Sequence, residues 1–309
     1  MKTEVLPFSP EAIAEAARLI VGGAPVAVPT ETVYGLAADA TSGEAVATIY
    51  AAKGRPSFNP LIVHVPDVAT ARKLADLPEA ALRVADRFWP GPLTIVAPLR
   101  PDAGIASLVT AGLPTVALRV PAHPAMQALL RASGRPLAAP SANASGTISP
   151  TRADHVLRSL NGKIPLIVDA GQCPIGLEST IVAIEAATIR LLRPGPIAFQ
   201  TLAEVAGLPI GSSSAAIEAP GQLEQHYAPS KPVRLGAEAA RDGEWLIGFG
   251  EIEGDASLSP RGDLIEAAAR LFDLLHQADS SPARAIAIAR VPDDGLGVAI
   301  NDRLRRAAA

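Results

Sequence analysis

The chain has 309 residues, 49% of them apolar but only 4% aromatic, with a formal net charge of −4. That length exceeds one ordinary core and predicts a large and a small domain with aliphatic interiors. No apolar run is long enough to span a bilayer, the first residues lack an apolar h-region, and a lone cysteine, Cys173, excludes a disulfide framework or a cysteine-based zinc site; a cytoplasmic protein with no membrane partner is expected.

In chain order, Ser9 and Pro10 suit the cap and first turn of an amphipathic helix over 11–20, which Gly22 and Gly23 end. An apolar strand over 25–29 delivers Thr30, Glu31 and Thr32 at its C-terminal end, where α/β sheets place ligands. Ser42 caps a helix over 44–53, and Gly54 fits the left-handed position that closes it. The next stretch, 53–64, is the densest polar patch, with Lys53, Arg55, Asn59 and His64 on one turn and one short strand. Period two along 61–65 puts Ile62 and His64 on one face and Leu61, Val63 and Val65 on the other.

A helix over 79–88, a turn at 89–92 and a strand over 93–99 follow. In the strand over 114–121, Val116, Leu118 and Val120 form the apolar face. Thr115, Ala117 and Arg119 form the other, where a small residue between two polar ones leaves room for a ligand. A helix over 123–132 and a strand over 136–140 lead to Ser141 and Asn143. A further helix starts within 149–154, and its free N–H groups would suit an anion. Strands over 166–169, 179–184 and 189–192 precede Arg193 and a short helix around Leu202.

The stretch 207–232 has many breakers and no apolar period, so it reads as a linker, with His226 and Tyr227 making it more than a spacer. Beyond it a strand over 245–249, a helix over 263–276, a strand over 285–289 and a helix around Asp302 predict a small parallel sheet.

Each polar residue has a bland reading. Lys53 and Arg55 would offset the negative end of a helix dipole, Asn59 would cap a turn, and His64 and Arg119 would be satisfied strand residues. Ser141 and Asn143 suit a turn, Ser149 a helix cap and Arg193 the turn after it. Their arrangement is more specific. Thr32, Arg55, Thr115, Arg119, Ser141, Asn143 and Arg193 all fall at strand ends or on polar strand faces, a donor set suited to phosphates and a carboxylate. No nucleophile joins them, so positioning and charge stabilisation are the chemistry implied. Walker A, dinucleotide and Gly-x-Ser-x-Gly signatures are absent. Residues 1–212 carry 17 Lys+Arg against 16 Asp+Glu and residues 213–309 carry 10 against 15, so no broad positive field for constitutive nucleic-acid binding exists.

Several of these runs resemble the YrdC-type threonylcarbamoyl-AMP synthases. They are Pro29 to Leu36, Lys53-x-Arg55 with Asn59-Pro60-Leu61 and His64, and Ser141-x-Asn143 with Ser149-Pro150-Thr151. Glu178-Ser179-Thr180, Leu192-Arg193-Pro194-Gly195, His226-Tyr227-Ala228-Pro229 and the ending at 295–304 extend the likeness over nearly the whole chain. The resemblance implies the long form: a YrdC-like twisted α/β catalytic domain over 1–206, a linker or lid over 207–232 and a small Rossmann-like parallel α/β domain over 233–309.

It also implies an L-threonylcarbamoyladenylate synthase, a nucleotidyltransferase using L-threonine, bicarbonate and ATP and releasing pyrophosphate. The adenylate would pass to a separate tRNA threonylcarbamoyl transferase for modification of the adenosine next to the anticodon. Thr32, His64, Arg119, Ser141 and Ser179 match positions for L-threonine. Lys53, Arg55, Asn59, Thr115, Asn143, Thr151, Arg193 and Tyr227 match positions for ATP, and Lys53 and Arg55 are the catalytic candidates. No metal site of the protein's own is expected, because Mg2+ would arrive on the ATP phosphates. The alternative is a double-stranded RNA-binding module with a positive concave face.

Overall fold

The computed structural model describes residues 2–56, 58–212, 218–220 and 226–309. The first part comprises β1 (Glu4–Pro7), α1 (Pro10–Val21), β2 (Val26–Pro29), β3 (Tyr34–Asp39), α2 (Gly43–Lys53), β4 (Ile62–His64), α3 (Val68–Leu74), α4 (Glu79–Phe88) and β5 (Leu93–Pro98). It continues with α5 (Ser107–Thr110), β6 (Thr115–Arg119), α6 (Pro124–Ser133), β7 (Leu137–Ala138), α7 (Ala153–Leu160), β8 (Leu166–Asp169), β9 (Thr180–Ile184), β10 (Ile189–Arg193) and α8 (Phe199–Ala206). The second part comprises β11 (Val233–Leu235), β12 (Glu244–Gly248), β13 (Ala256–Ser257), α9 (Leu264–Ser280), β14 (Ala285–Ile288) and α10 (Gly297–Ala307).

The fold is mixed α/β. Among the described residues a ten-stranded sheet runs β1-β8-β2-β3-β7-β4-β6-β5-β9-β10, and a four-stranded one runs β11-β14-β12-β13. The small sheet is parallel at each of its pairings. The large one mixes parallel pairs such as β4 with β6 and antiparallel pairs such as β2 with β3. None of the helices of the described residues is long and apolar enough to cross a membrane.

Local chemistry accounts for many boundaries. The Ser9 and Ser42 hydroxyls accept from Ala12 and Ala45 N–H and start α1 and α2, while Gly54 at φ 60° closes α2 in the left-handed region. Ser149 does not cap α7. That helix starts inside the expected 149–154 stretch, at Ala153, with Arg152 at the cap position and no side-chain cap hydrogen bond. Its first turn carries Asp154, whose charge would disfavour an anion there. β1, β3, α3, α5, β11 and β13 are not expected from periodicity; all but β3 are short pieces whose pattern spans two periods or fewer.

The sheet's two faces explain where a site can form. Along β4, β6, β5 and β9, alternate residues Val63, Leu118, Ile95 and Val182 enter the largest core, packed with α2 and α4. Across β2, β3 and β8 the opposite face is covered by α1 and α6 through Ile13, Ile20, Met126 and Leu129. Among the described residues no such helix cluster covers the opposite face of β4, β6, β5 and β9. There Ile62, Val96, Ala117, Ile181 and Leu192 form a small cluster joined by Ala219 of the linker. His64 and Arg119 share that face and are register partners in the β4–β6 pair. Of the linker expected over 207–232, residues 213–217 and 221–225 lie outside the described residues.

Candidate active site

The half-covered sheet face holds a cavity of about 50 Å³ lined by Thr32, Arg55, His64, Arg119, Ser141, Arg193 and, from the linker, Pro220, His226 and Tyr227. At about 10–15 Å³ for each water, it admits a few waters and no amino acid or nucleotide. Pro220, His226 and Tyr227 of the linker form one side of it.

One wall is built around Arg119 at the end of β6. Its Nη2 donates to Glu31 Oε1 at 2.6 Å, Nη1 to Thr32 Oγ1 at 3.0 Å and Nε to Gly91 O at 3.2 Å. A guanidinium has five N–H donors, so two remain for a ligand. Glu31 Oε2 also accepts from the backbone N–H groups of Ala122 and His123. Burial pushes its carboxyl up, but Arg119 outweighs that and leaves it below the usual carboxylate value. Thr30 Oγ1 lies 2.8 Å from Thr32 Oγ1 and accepts from the Thr32 and Val33 N–H groups, which fixes the turn between β2 and β3. His64 beside Arg119 is buried, with Nδ1 unpartnered. Burial, then the Arg119 charge, pushes its pKa down to about 3, so the imidazole is neutral.

The other wall is cationic: among the described residues no carboxylate is hydrogen-bonded to Lys53, Arg55 or Arg193, and Glu178 acts on Arg193 only through space. Arg55 donates to Asn59 O at 3.4 Å and Pro60 O at 3.1 Å. Lys53 Nζ donates to the carbonyl oxygens of Ser141 and Asn143. Arg193 donates to Ser179 O through Nε at 3.1 Å and Nη2 at 2.9 Å, and through Nη2 to Ser179 Oγ at 3.1 Å. Arg193 reaches Ser179 across an irregularity in the β9–β10 register between Leu191 and Arg193, a bulge that re-aims the strand end. Gly195 permits the turn, since a Cβ there would sit 2.4 Å from Thr180 N. Burial lowers Arg55 and Arg193 each to about 10, still charged at neutral pH. Burial, followed by the Arg55 charge, pushes Lys53 well below the usual ammonium value.

The linker supplies the roof. Tyr227 is fully buried at φ 68°, a conformation a bulky residue adopts only under constraint. Its hydroxyl and His226 Nδ1 have no hydrogen-bond partner among the described residues. Unpaired buried polar atoms facing a cavity are what a bound ligand would satisfy.

Comparison with known proteins settles the lineage. A model of the Sua5, YciO and YrdC family, described as Telomere recombination, matches residues 18–195, and one for the threonylcarbamoyl-AMP synthase C-terminal domain matches 183–309. The threonylcarbamoyl-AMP synthase of Bacillus subtilis is 41% identical, over 99% of this chain and 95% of its own. That of Pyrococcus abyssi is 40% identical over 95% and 93%. The crystal structure of P. abyssi Sua5 complexed with L-threonine superposes with a TM-score of 0.90 at 38% identity, covering 99% of this chain and 98% of the other. The chain belongs to the Sua5/YrdC family of threonylcarbamoyl-AMP synthases, in its two-domain form.

Seven of the candidates suggested by the family motifs line the cavity: Thr32, Arg55, His64, Arg119, Ser141, Arg193 and Tyr227. Lys53, Asn143 and Ser179 stand one hydrogen bond behind it, through Ser141 O and Arg193. Asn59 is buried behind Arg55 with Oδ1 unpartnered. Thr115 begins β6 opposite Pro98 and does not line the cavity. Thr151 is turned to His155, its N–H donating to Nδ1 at 3.3 Å, and does not line it either.

Sequence reasoning gave no role to Glu31 and Glu178, although both sit inside family motifs. A carboxylate among so many cations was the available signal. Glu178 accepts from Ser149 Oγ and, at 3.1 Å, from Arg303 Nε. Among the described residues no cluster of His, Cys, Asp or Glu could hold a metal ion.

Proposed function

We propose that this chain condenses L-threonine, bicarbonate and ATP, the last as its Mg2+ complex, into L-threonylcarbamoyladenylate and pyrophosphate. The observation that supports this most is the pairing of two unlike walls across one closable cavity. The Arg119 wall, neutralised by Glu31, keeps two N–H donors for a single carboxylate. The Arg55 and Arg193 wall, hydrogen-bonded to carbonyl oxygens and, among the described residues, to no carboxylate, suits a polyanion. The threonine complex of P. abyssi Sua5 supports the amino-acid half of the reading.

The chemistry follows from the walls. Threonine's amine adds to carbon dioxide derived from bicarbonate and loses a proton, giving a carbamate. A carbamate oxygen then bonds to the α-phosphorus of ATP while the bond to the β-phosphate oxygen breaks and pyrophosphate leaves. Two anions must meet, and Arg55 and Arg193 screen them and receive the charge that develops on the leaving group. Phosphates would also restore the Lys53 charge that burial opposes. Closure of the linker, with Tyr227 over the nucleotide, would keep water from the labile carbamate. The product would pass to a separate tRNA-modifying transferase.

An RNA-binding role fits the geometry poorly. Lys53, Arg55, Arg119 and Arg193 are 3, 8, 4 and 5% exposed, so they cannot track a duplex backbone. Pyrophosphate release with threonine, bicarbonate and MgATP together, and not with any one left out, is the expected outcome of an assay. Release that ignores threonine would refute the proposal.

A further inference from the structure

The terminal motif at 295–304 marks the family, yet nothing above gives it a task. It forms the start of α10, and one of its members is among the largest fully buried side chains of the chain: Arg303, 0% exposed. A guanidinium so deep in a domain with no substrate in view calls for a physical reason.

Its contacts lie mainly in the first domain. Nε donates to Glu178 Oε2 at 3.1 Å and Nη1 donates to Pro194 O at 2.7 Å, with Asp302 Oδ2 as a local partner at 2.9 Å. Glu178 precedes Ser179 and Pro194 follows Arg193, so one fork grips both strands of the Ser179–Arg193 contact. Nη2 has no hydrogen-bond partner, and the guanidinium carbon lies 5.5 Å from the centre of the Tyr227 ring. Arg306, one turn on, lies 5.0 Å from the same ring, and Phe272 of α9 packs against it at 5.5 Å. The other Glu178 oxygen holds Ser149 Oγ, while His276 of α9 meets Ser149 O at 3.2 Å. Val33, Ile148, Leu177 and Tyr227 are continuous with the second domain's core.

We propose that Arg303 is a positioning residue of the active site, holding the Arg193 wall through Glu178 and Pro194 and the linker roof through Tyr227, so that the C-terminal domain is a working part of the ATP-binding half. The proposal rests on the function put forward above, since it assigns that half to ATP. Arg303 itself does not line the cavity. A rigid planar fork joins a carboxylate, a carbonyl and an aromatic face in one fixed geometry, which a flexible lysine point charge does not hold. None of the three contacts touches the Arg119 wall, and only Ser179, held by Arg193, belongs to the threonine candidates, so nucleotide binding should suffer far more than threonine binding.

The test uses the full chain. Calorimetry follows a non-hydrolysable ATP analogue and L-threonine separately, alongside thermal melts, for wild type, Arg303→Met, Arg303→Lys and Arg303→Met with Glu178→Gln. Arg303→Met should weaken nucleotide binding at least about tenfold and threonine binding by less than about threefold. The double variant removes the uncompensated buried carboxylate and should recover the melting temperature without recovering nucleotide affinity. A purely structural staple would instead recover both, and would overturn the proposal. So would equal losses for the two ligands. Should Arg303→Met fail to fold, Arg303→Lys carries the test, with the same one-sided loss expected and wild-type nucleotide affinity as the contrary result. Threonine-dependent pyrophosphate release by the wild type is read independently. Its absence would remove the proposed reaction, whereas nucleotide binding and its dependence on Arg303 are measured without turnover.

Discussion

The two walls of the cavity treat positive charge in opposite ways. Arg119 is paired at 2.6 Å with Glu31 inside its own domain, and Glu31 is itself held by two backbone N–H groups. Arg55, Lys53 and Arg193 are hydrogen-bonded to carbonyl oxygens, which orient them without neutralising them. The difference teaches what each wall is built for. A neutralised and locked guanidinium recognises one carboxylate by geometry, whereas cations that outnumber the one nearby carboxylate, Glu178, store repulsion that a polyanion relieves. The first wall should therefore matter more for stability and the second more for turnover.

Glu31→Ala should give the largest effect on the fold. It strands Arg119 in a buried site and should cost about 3–5 kcal/mol of unfolding free energy in a denaturant titration. Threonine affinity should fall with it. A loss under about 1 kcal/mol would show that the pair is not buried and coupled as described.

Arg55→Ala should do the reverse. Turnover should fall about 10²–10³-fold, as for loss of one charge-stabilising donor, in a pyrophosphate-release assay. Stability should hold or rise, because a buried charge without a carboxylate partner is removed. A large stability loss with retained turnover would erase the contrast between the walls.

Acid should produce a smaller, graded effect. His64 and His226 are each held at about 3, chiefly by burial, against 6.5 for the ordinary group. Between those values the unfolded chain binds protons that the folded chain refuses, so stability falls as pH drops from 6.5 towards 3. Glu31 and Glu178, both held below the usual 4.5 with their cations outweighing burial, lose their contribution later, as pH falls through their lowered values. Melting temperatures that stay flat from pH 7 to 4 would contradict neutral, buried imidazoles.

The alternation of the strand residues was legible because period two is a local signal. Ile62 and His64, and Ala117 and Arg119, face the cavity side as their spacing requires. The caps at Ser9 and Ser42 and the left-handed Gly54 were equally local. What the chain order concealed was long-range. Glu31 finds Arg119 from 88 residues away and Glu178 finds Arg303 from 125. The β9–β10 bulge that aims Arg193 leaves no pattern in five residues. Thr151 is placed by its motif alone; the spacing of the chain does not show that its N–H meets His155 four residues on.

The division of labour is tested most directly by a structure of the chain with L-threonine and a non-hydrolysable ATP analogue. The threonine carboxylate should lie on the two free N–H groups of Arg119 and the triphosphate on Arg55 and Arg193, with Tyr227 over the nucleotide. A triphosphate on Arg119, or a threonine carboxylate on Arg55, would contradict it.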